Sequence, residues 1–294
     1  MSTEGYAQFV SAMGHQVRQV NGVYWFNAHP HIYMSFPFDQ EIETRGMDWQ
    51  TILGADGWAA RFPCDIALGR PSYRIIADQP SYGFESLTSK ARNQTRRGLE
   101  QCEVRAISFE ELSVLGLVLN RETLLRQNRK AGADFDAHWK KYYANARVAE
   151  GAVAWGAFVA GQLAAYLVSF QMEDVAHVLI VRSSSRFLKQ YPNNALIYSY
   201  LEHSLNRAGL REVSIGLESI QEGMDTLDHF KMGMGFRKQP TGQRIILRPM
   251  LDRLFKGPGL KAARWLLKDG WGDERVAKLA GLVRWYEEQP RSKA

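Results

Sequence analysis

The run YPNNALIYSYLEHSLNRAGLREVSIG, Tyr191 to Gly216, decides the fold. Its first part, NNALIYSYLEHSLNRAG, reads as a helix with Gly209 as the C-terminal stop. Its last part, continued as REVSIGL, reads as a strand. Just upstream lies VAHVLIV, Val175 to Val181, almost wholly apolar as a central buried strand is. Strand, helix and strand therefore follow one another without a long linker.

The pattern extends in both directions. Upstream, AVAWGAFV and QLAAYLVSFQ are two apolar runs joined by Ala160–Gly161, a hairpin signal. Before them stand two helices. SFEELSVLGLVLNRETLLRQNRK begins with Ser108 and Glu111 at capping-box spacing, and Leu112, Leu115, Leu119 and Leu124 give it an apolar face. DFDAHWKKYYANARV is the second, rich in aromatics. Downstream, MDTLDHFKMGMGF reads as a short helix ending at Gly235, and QRIILRP as a last strand.

The first 105 residues alternate short strands with helices: GVYWFNA, IYMSFPF and SYRIIAD as strands, MDWQTILGADGWAARF with helix spacing. SLTSKARNQTRRGLEQCEV, Ser86 to Val104, crowds Lys90, Arg92, Arg96 and Arg97 into one helix, with Ser89 as its cap. EVRAI closes as a strand. Beyond 250, Leu260, Ala263, Leu266 and Leu267 line one tail helix, and Val276, Leu279, Val283 and Tyr286 another.

Composition narrows the class. Hydrophobic residues make up 45% and charged residues 23%, which excludes a disordered chain. The net charge of +6 suits anionic partners: nucleotides, RNA, phosphorylated substrates or an anionic membrane surface. Cys64 and Cys102 lack zinc-ligand spacing and are too few for a disulfide framework. They read as reduced thiols, and the expectation is a cytoplasmic protein with no metal. No apolar run reaches the roughly 18 residues of a spanning helix, and the first residues carry no signal-peptide pattern.

The element order from 108 to 250 resembles the GNAT acyltransferase fold. HFKMGMGF, with Phe230, Lys231, Gly235 and Phe236, looks like the signature near the end of that fold. Members that bind acetyl-CoA carry a Gly-rich loop after the central strand, where backbone N–H groups hold the pyrophosphate. Here no glycine occurs between Arg182 and Ser204, and many members' tyrosine position is Lys231. Both departures, with Asn194, Leu196 and the Phe230–Lys231 pair, resemble the Fem-type tandem-GNAT aminoacyl transferases. Ser89, Lys90, Arg92 and Arg96 resemble the S-K-x-R-x-x-x-R segment joining the two halves in that group.

The resemblance implies an α/β fold: two GNAT-like domains in tandem, with mixed, mostly antiparallel sheets flanked by helices. They would span 1–105 and 106–250, with the C-terminal helices of 251–294 packing back. It implies an N-acyltransferase moving an acyl or aminoacyl group to an amine of an anionic small molecule or peptide. No cofactor would be bound tightly, and the donor is either aminoacyl-tRNA or acyl-CoA. A non-catalytic binding module on the same fold is the alternative. Nothing in the sequence fixes the oligomeric state.

The site residues follow. Lys231 would stabilise the oxyanion of a tetrahedral intermediate, a role for a fixed charge; a lysine on an exposed helix face is the plain alternative. His177, where the fold often has a general-base carboxylate, would take a proton, or would simply be a core histidine. Asn193 and Asn194 sit at a helix start, as caps or as part of a polar ligand site. Glu218 lies at a strand tip, facing a cleft or holding a salt bridge. Arg92 and Arg96 share a helix face and suit phosphate oxygens or an RNA backbone, or form a solvated face. Lys261, Arg264 and Lys268 flank Trp265 on a helix that packs on its own domain or touches anionic membrane.

Overall fold

The computed structural model describes residues 3–126, 131–220, 225–255, 259–260 and 274–290. In chain order the first elements are α1 (Thr3–Ala12), β1 (Val17–Val20), β2 (Val23–His29), β3 (Ile32–Phe36), α2 (Trp49–Leu53), β4 (Ala59–Cys64) and β5 (Arg70–Ala77). Next come α3 (Ser89–Gln101), β6 (Glu103–Ala106), α4 (Phe109–Arg126), α5 (Phe135–Val148), β7 (Ala152–Val159), β8 (Gln162–Met172) and β9 (Val175–Ser183). The rest are α6 (Pro192–Glu202), β10 (Glu212–Leu217), α7 (Asp225–Gly233), β11 (Arg237–Leu247), α8 (Pro249–Phe255) and α9 (Glu274–Glu288).

The chain divides into two compact units, each assembled from separate segments. One holds Met1–Met13, Ile75–Gly216 and Asp228–Arg237; the other holds Gly14–Arg74, Leu217–Leu227 and Lys238–Ala294. The boundary expected at 105/106 falls inside the first unit.

The first unit carries the order β10-β9-β8-β7-β6. β6 to β9 pair antiparallel, and β10 joins β9 in parallel. The β7–β8 turn takes positive φ at Ala160 (48°) and Gly161 (75°), as the hairpin reading requires. Leu112 and Leu119 of α4 are buried, and Ser108 Oγ accepts from the Glu111 N–H at 3.1 Å, so the start of α4 is capped as expected. Asn120, Tyr143 and Tyr166 close a buried hydrogen-bonded ring tying α4 to α5 and β8: Asn120 Nδ2 donates to Tyr143 Oη at 2.8 Å, and the two phenols meet at 3.0 Å. Burial pushes both phenols up, so they remain protonated donors.

The other unit carries β1-β2-β3-β4-β11-β5. Trp25, Tyr33, Ile42, Ile52, Phe62 and Cys64 form its core. α9 packs back through Leu282 and Trp285 onto Ala59, Ile245 and Leu247. Its buried face is therefore shifted from the one expected, and Leu279 stays 39% exposed. Of the helix expected to carry Leu260, Ala263, Leu266 and Leu267, everything from Lys261 on lies outside the described residues.

The structure corrects three local readings. MDWQTILGADGWAARF is not one helix: α2 stops at Leu53, Gly54 takes φ 55°, and Ala59–Cys64 is a strand. The N-cap of α3 is Thr88, whose Oγ1 accepts from the Ala91 N–H, so Ser89 is already helical. Neither Asn193 nor Asn194 caps α6, because the N-cap is Tyr191 in a left-handed conformation with Pro192 behind it.

Candidate active site

The feature that sets the site is a fork in the first unit. β9 and β10 pair in parallel over three positions, ending at Ser214 opposite His177. Past that point β10 turns half-exposed and passes through Gly216 at φ 105°, a value glycine accepts readily. β9 continues to Ser183, but not regularly. Against β8, Val178 faces Ser169 and Ile180 faces Val168, so Leu179 is an extra residue, a β-bulge. Leu179 is 38% exposed although it lies in an interior strand between buried neighbours. A bulge leaves its residue outside the regular ladder, here the β9–β8 ladder.

His177 stands at the closed end of the fork and is 2% exposed. It is buried as a core histidine would be, and it is also the last residue before the strands part.

Lys231 lies on α7, paired with Asp228 at 3.2 Å, both side chains 14% exposed. It is thus a sheltered, carboxylate-partnered cation and not one on an open helix face. The turn after it is tightly held. Thr88 N–H donates to Gly233 O at 3.1 Å, Tyr82 Oη to Met234 O at 2.7 Å, and Gln79 Nε2 to Gly235 O at 2.5 Å. Burial keeps the Tyr82 phenol protonated for this. Gly235 sits at φ 88°, and a Cβ there would come within 3.0 Å of Ser86 O. Its place in the signature therefore has a backbone cause.

Three helices meet at Met234. Asn194 Nδ2 of α6 donates to its sulfur at 3.4 Å, and Thr95 Oγ1 of α3 lies 4.0 Å from the same atom. Asn193 turns the other way, its Nδ2 donating to Ser183 Oγ at 3.1 Å, at the end of β9. Gly98 makes the close approach of α3 possible, since a Cβ there would lie 2.8 Å from Tyr191 O. The structure thus brings the helices of Lys231, Asn194 and the arginine cluster together in one unit.

The arginine cluster splits. Arg92 is committed to the protein: Nε donates to Phe84 O at 2.9 Å and Nη2 to Leu87 O at 3.2 Å, with Glu85 at 3.5 Å. Arg96 is exposed and lies 5.1 Å over the Phe84 ring, which stacks on Tyr198. Arg97, part of the same basic cluster though not among the expected binding residues, is also exposed and lies 5.2 Å over Tyr191. A guanidinium resting on a ring keeps its N–H edge for an anion.

Glu218 does not join them. It belongs to the other unit, where Oε2 accepts from Arg70 Nη1 and Ser72 Oγ, both at 2.8 Å. That is the salt-bridge alternative raised from sequence. The same unit holds a cavity of about 440 Å³ beside Leu247, Phe255 and Tyr286, which none of the expected site residues line. Among the described residues, no cluster of three or more His, Cys, Asp or Glu is placed to hold a metal ion, and no helix is long and apolar enough to cross a membrane.

Leu179 was missed from sequence because a bulge is a property of strand pairing. VAHVLIV has no glycine to mark it, and its one polar residue is His177.

No protein-family model and no curated protein sequence matches the chain. Solved structures do. FemX aligns with a TM-score of 0.59 at 10% identity, over 86% of this chain and 92% of that one. The C-terminal DUF2156 domain of a lysylphosphatidylglycerol synthetase described as putative, from Agrobacterium fabrum, aligns at 0.55 and 12%, over 85% and 89%. L-PGS from Bacillus licheniformis aligns at 0.50 and 11%, over 85% and 92%. What these alignments show is the architecture, an α/β fold with mixed sheet flanked by helices. In fold the chain is similar to FemX, the kind of likeness that the Fem-type resemblance implied. At these identities what is shared is the fold.

Proposed function

We propose that the protein transfers an acyl or aminoacyl group from an activated ester or thioester to an amine of an anionic acceptor. The observation that carries this reading is the β9–β10 fork with the Leu179 bulge. An acyl arm laid in the fork meets strand amides not used by β10, and its carbonyl is polarised there. The amine nitrogen attacks that carbonyl carbon. The resulting oxyanion is stabilised by bulge N–H groups and by the sheltered charge of Lys231. His177, at the closed end of the fork, takes the proton of the amine. Collapse breaks the bond to the leaving oxygen or sulfur, which departs with a proton. Arg96, with its guanidinium edge outward, supports an anionic acceptor. Asn194 positions α7 through Met234, and Asn193 braces the end of β9. The Fem-like fold favours the aminoacyl branch.

The test is Lys231→Met. Purified protein is given aminoacylated tRNA or acyl thioesters with a panel of amines, and amide products are read by mass spectrometry. A charge acting only near the transition state changes rate more than affinity. The variant is expected to stay folded and bind substrate while turnover falls about 100- to 1000-fold. A folded, fully active variant removes Lys231 from the mechanism, and no amide product with any donor removes the reading.

A further inference from the structure

Acetyl-CoA-binding GNAT proteins hold the pyrophosphate on backbone N–H groups between the central strand and the following helix. In this chain several of those groups are occupied from within. Ser185 N–H donates to a carboxylate oxygen of Glu122, which reaches over from α4, at 2.8 Å. Arg186 N–H donates to Ser184 Oγ at 3.3 Å. Residues Ser185–Gln190 wind into a 3-10 helix, closed by Tyr191 N–H on Leu188 O at 3.2 Å. Pro192 has no N–H, and the Asn194 and Ala195 N–H groups both return to Tyr191 O at 3.1 and 3.2 Å. Two of the cations at the loop are engaged, Arg126 Nη1 on Ser183 O at 3.1 Å and Arg186 Nη1 on Gln162 Oε1 at 2.9 Å, while Lys189 within it is exposed. The loop has no glycine to let a phosphate approach the backbone. The residues present do not fit a pyrophosphate.

We propose that Glu122 is a specificity residue: its carboxylate is a built-in anion on the loop after β9 that excludes donors carrying a pyrophosphate there. The inference rests on the acyl-transfer reading and deepens it. The donor class it leaves is an acyl ester or thioester without a phosphate cluster against this loop. A negative charge already hydrogen-bonded to the first amide of the loop repels a second anion and denies it that donor.

Calorimetry with acetyl-CoA and with S-acetylpantetheine, which lacks the nucleotide and its phosphates, separates the loop from the acyl arm. Both are titrated into wild type, Glu122→Gln and Glu122→Ala, with melting temperature as the fold control. Glutamine keeps an acceptor for Ser185 and loses the charge; alanine also frees the amide. Wild type should bind acetyl-CoA no more tightly than S-acetylpantetheine. Both variants should bind acetyl-CoA at least about tenfold more tightly than wild type, with S-acetylpantetheine unchanged. Wild type preferring acetyl-CoA by about tenfold or more overturns the proposal. So does an acetyl-CoA affinity that stays unchanged or undetectable in both variants, or an equal gain for both ligands. These are binding readouts, so their failure is distinct from that of the transfer reading, which the Lys231→Met turnover tests.

Discussion

Each unit contains a parallel strand pair matched over three positions, and the two pairs end differently. β3 and β4 match over Ile32–Ala59, Tyr33–Ala60 and Met34–Arg61; β9 and β10 match over three positions ending at His177 and Ser214. Beyond the first pair the chain fills its own opening. Ile42 N–H donates to Pro63 O at 2.9 Å, and the Ile42 side chain is buried with Tyr33, Phe62 and Cys64. Beyond the second pair, Leu179 bulges out and Ile215 to Leu217 are half-exposed. One fork has become core, while at the other Leu179 is 38% exposed and the end of β10 is half-exposed. The same local topology therefore does not make a site; the segment that does or does not return to plug it decides.

The largest expected consequence is on the plugged side. Ile42→Ala removes a wholly enclosed side chain and should cost about 2–5 kcal/mol in a denaturant melt. Leu179→Ala, at a position already open to solvent, should stay within about 0.5 kcal/mol. Equal losses would erase the distinction between the two forks.

Thiol mapping sharpens the comparison. Native Cys64 and Cys102 are buried, and desolvation raises both pKa values to about 11. Their thiolate fraction at pH 8 should therefore be about 100-fold below that of an ordinary thiol. With that background silent, Leu179→Cys should react with a maleimide at an exposed-thiol rate, while Ile42→Cys reacts no faster than Cys64. Rapid labelling of Ile42→Cys would show that the first fork is open too.

The smallest effect concerns the arginine pair. Arg92 holds the Phe84–Leu87 turn, so Arg92→Ala should lower stability by about 1–2 kcal/mol. Arg96→Ala should fall within about 0.5 kcal/mol yet weaken binding of an anionic acceptor. If the two variants melt alike, the cluster is one solvated face.

Much of this was legible in the sequence, and the failures share a cause. The α6–β10 passage, the Ala160–Gly161 hairpin, the cap at Ser108 and the turn at Gly235 are local: each depends on a few neighbouring residues with distinctive backbone demands. The misreading of 47–62 came from apolar residues such as Ile52, Leu53, Ala59 and Ala60, whose spacing suits a helix while their partners in β3 and β11 make the second half a strand. The Leu179 bulge, the Glu122–Ser185 contact and the plug at Ile42 each need knowledge of what lies opposite. Register and long-range pairing leave little trace in a single apolar run. So Lys231 and Asn194 could be picked out by motif, while the fork at Leu179 could not.

The central claim is that the open fork at Leu179 is where the acyl group is transferred. The most direct test is the amine-acylation rate of Leu179→Cys before and after maleimide labelling, with melting temperature recorded for both. The unlabelled variant should be active and the labelled protein should remain folded with its transfer rate abolished, because the adduct fills the second fork as Ile42 fills the first. A fully labelled, folded protein that transfers at the unlabelled rate would contradict the account.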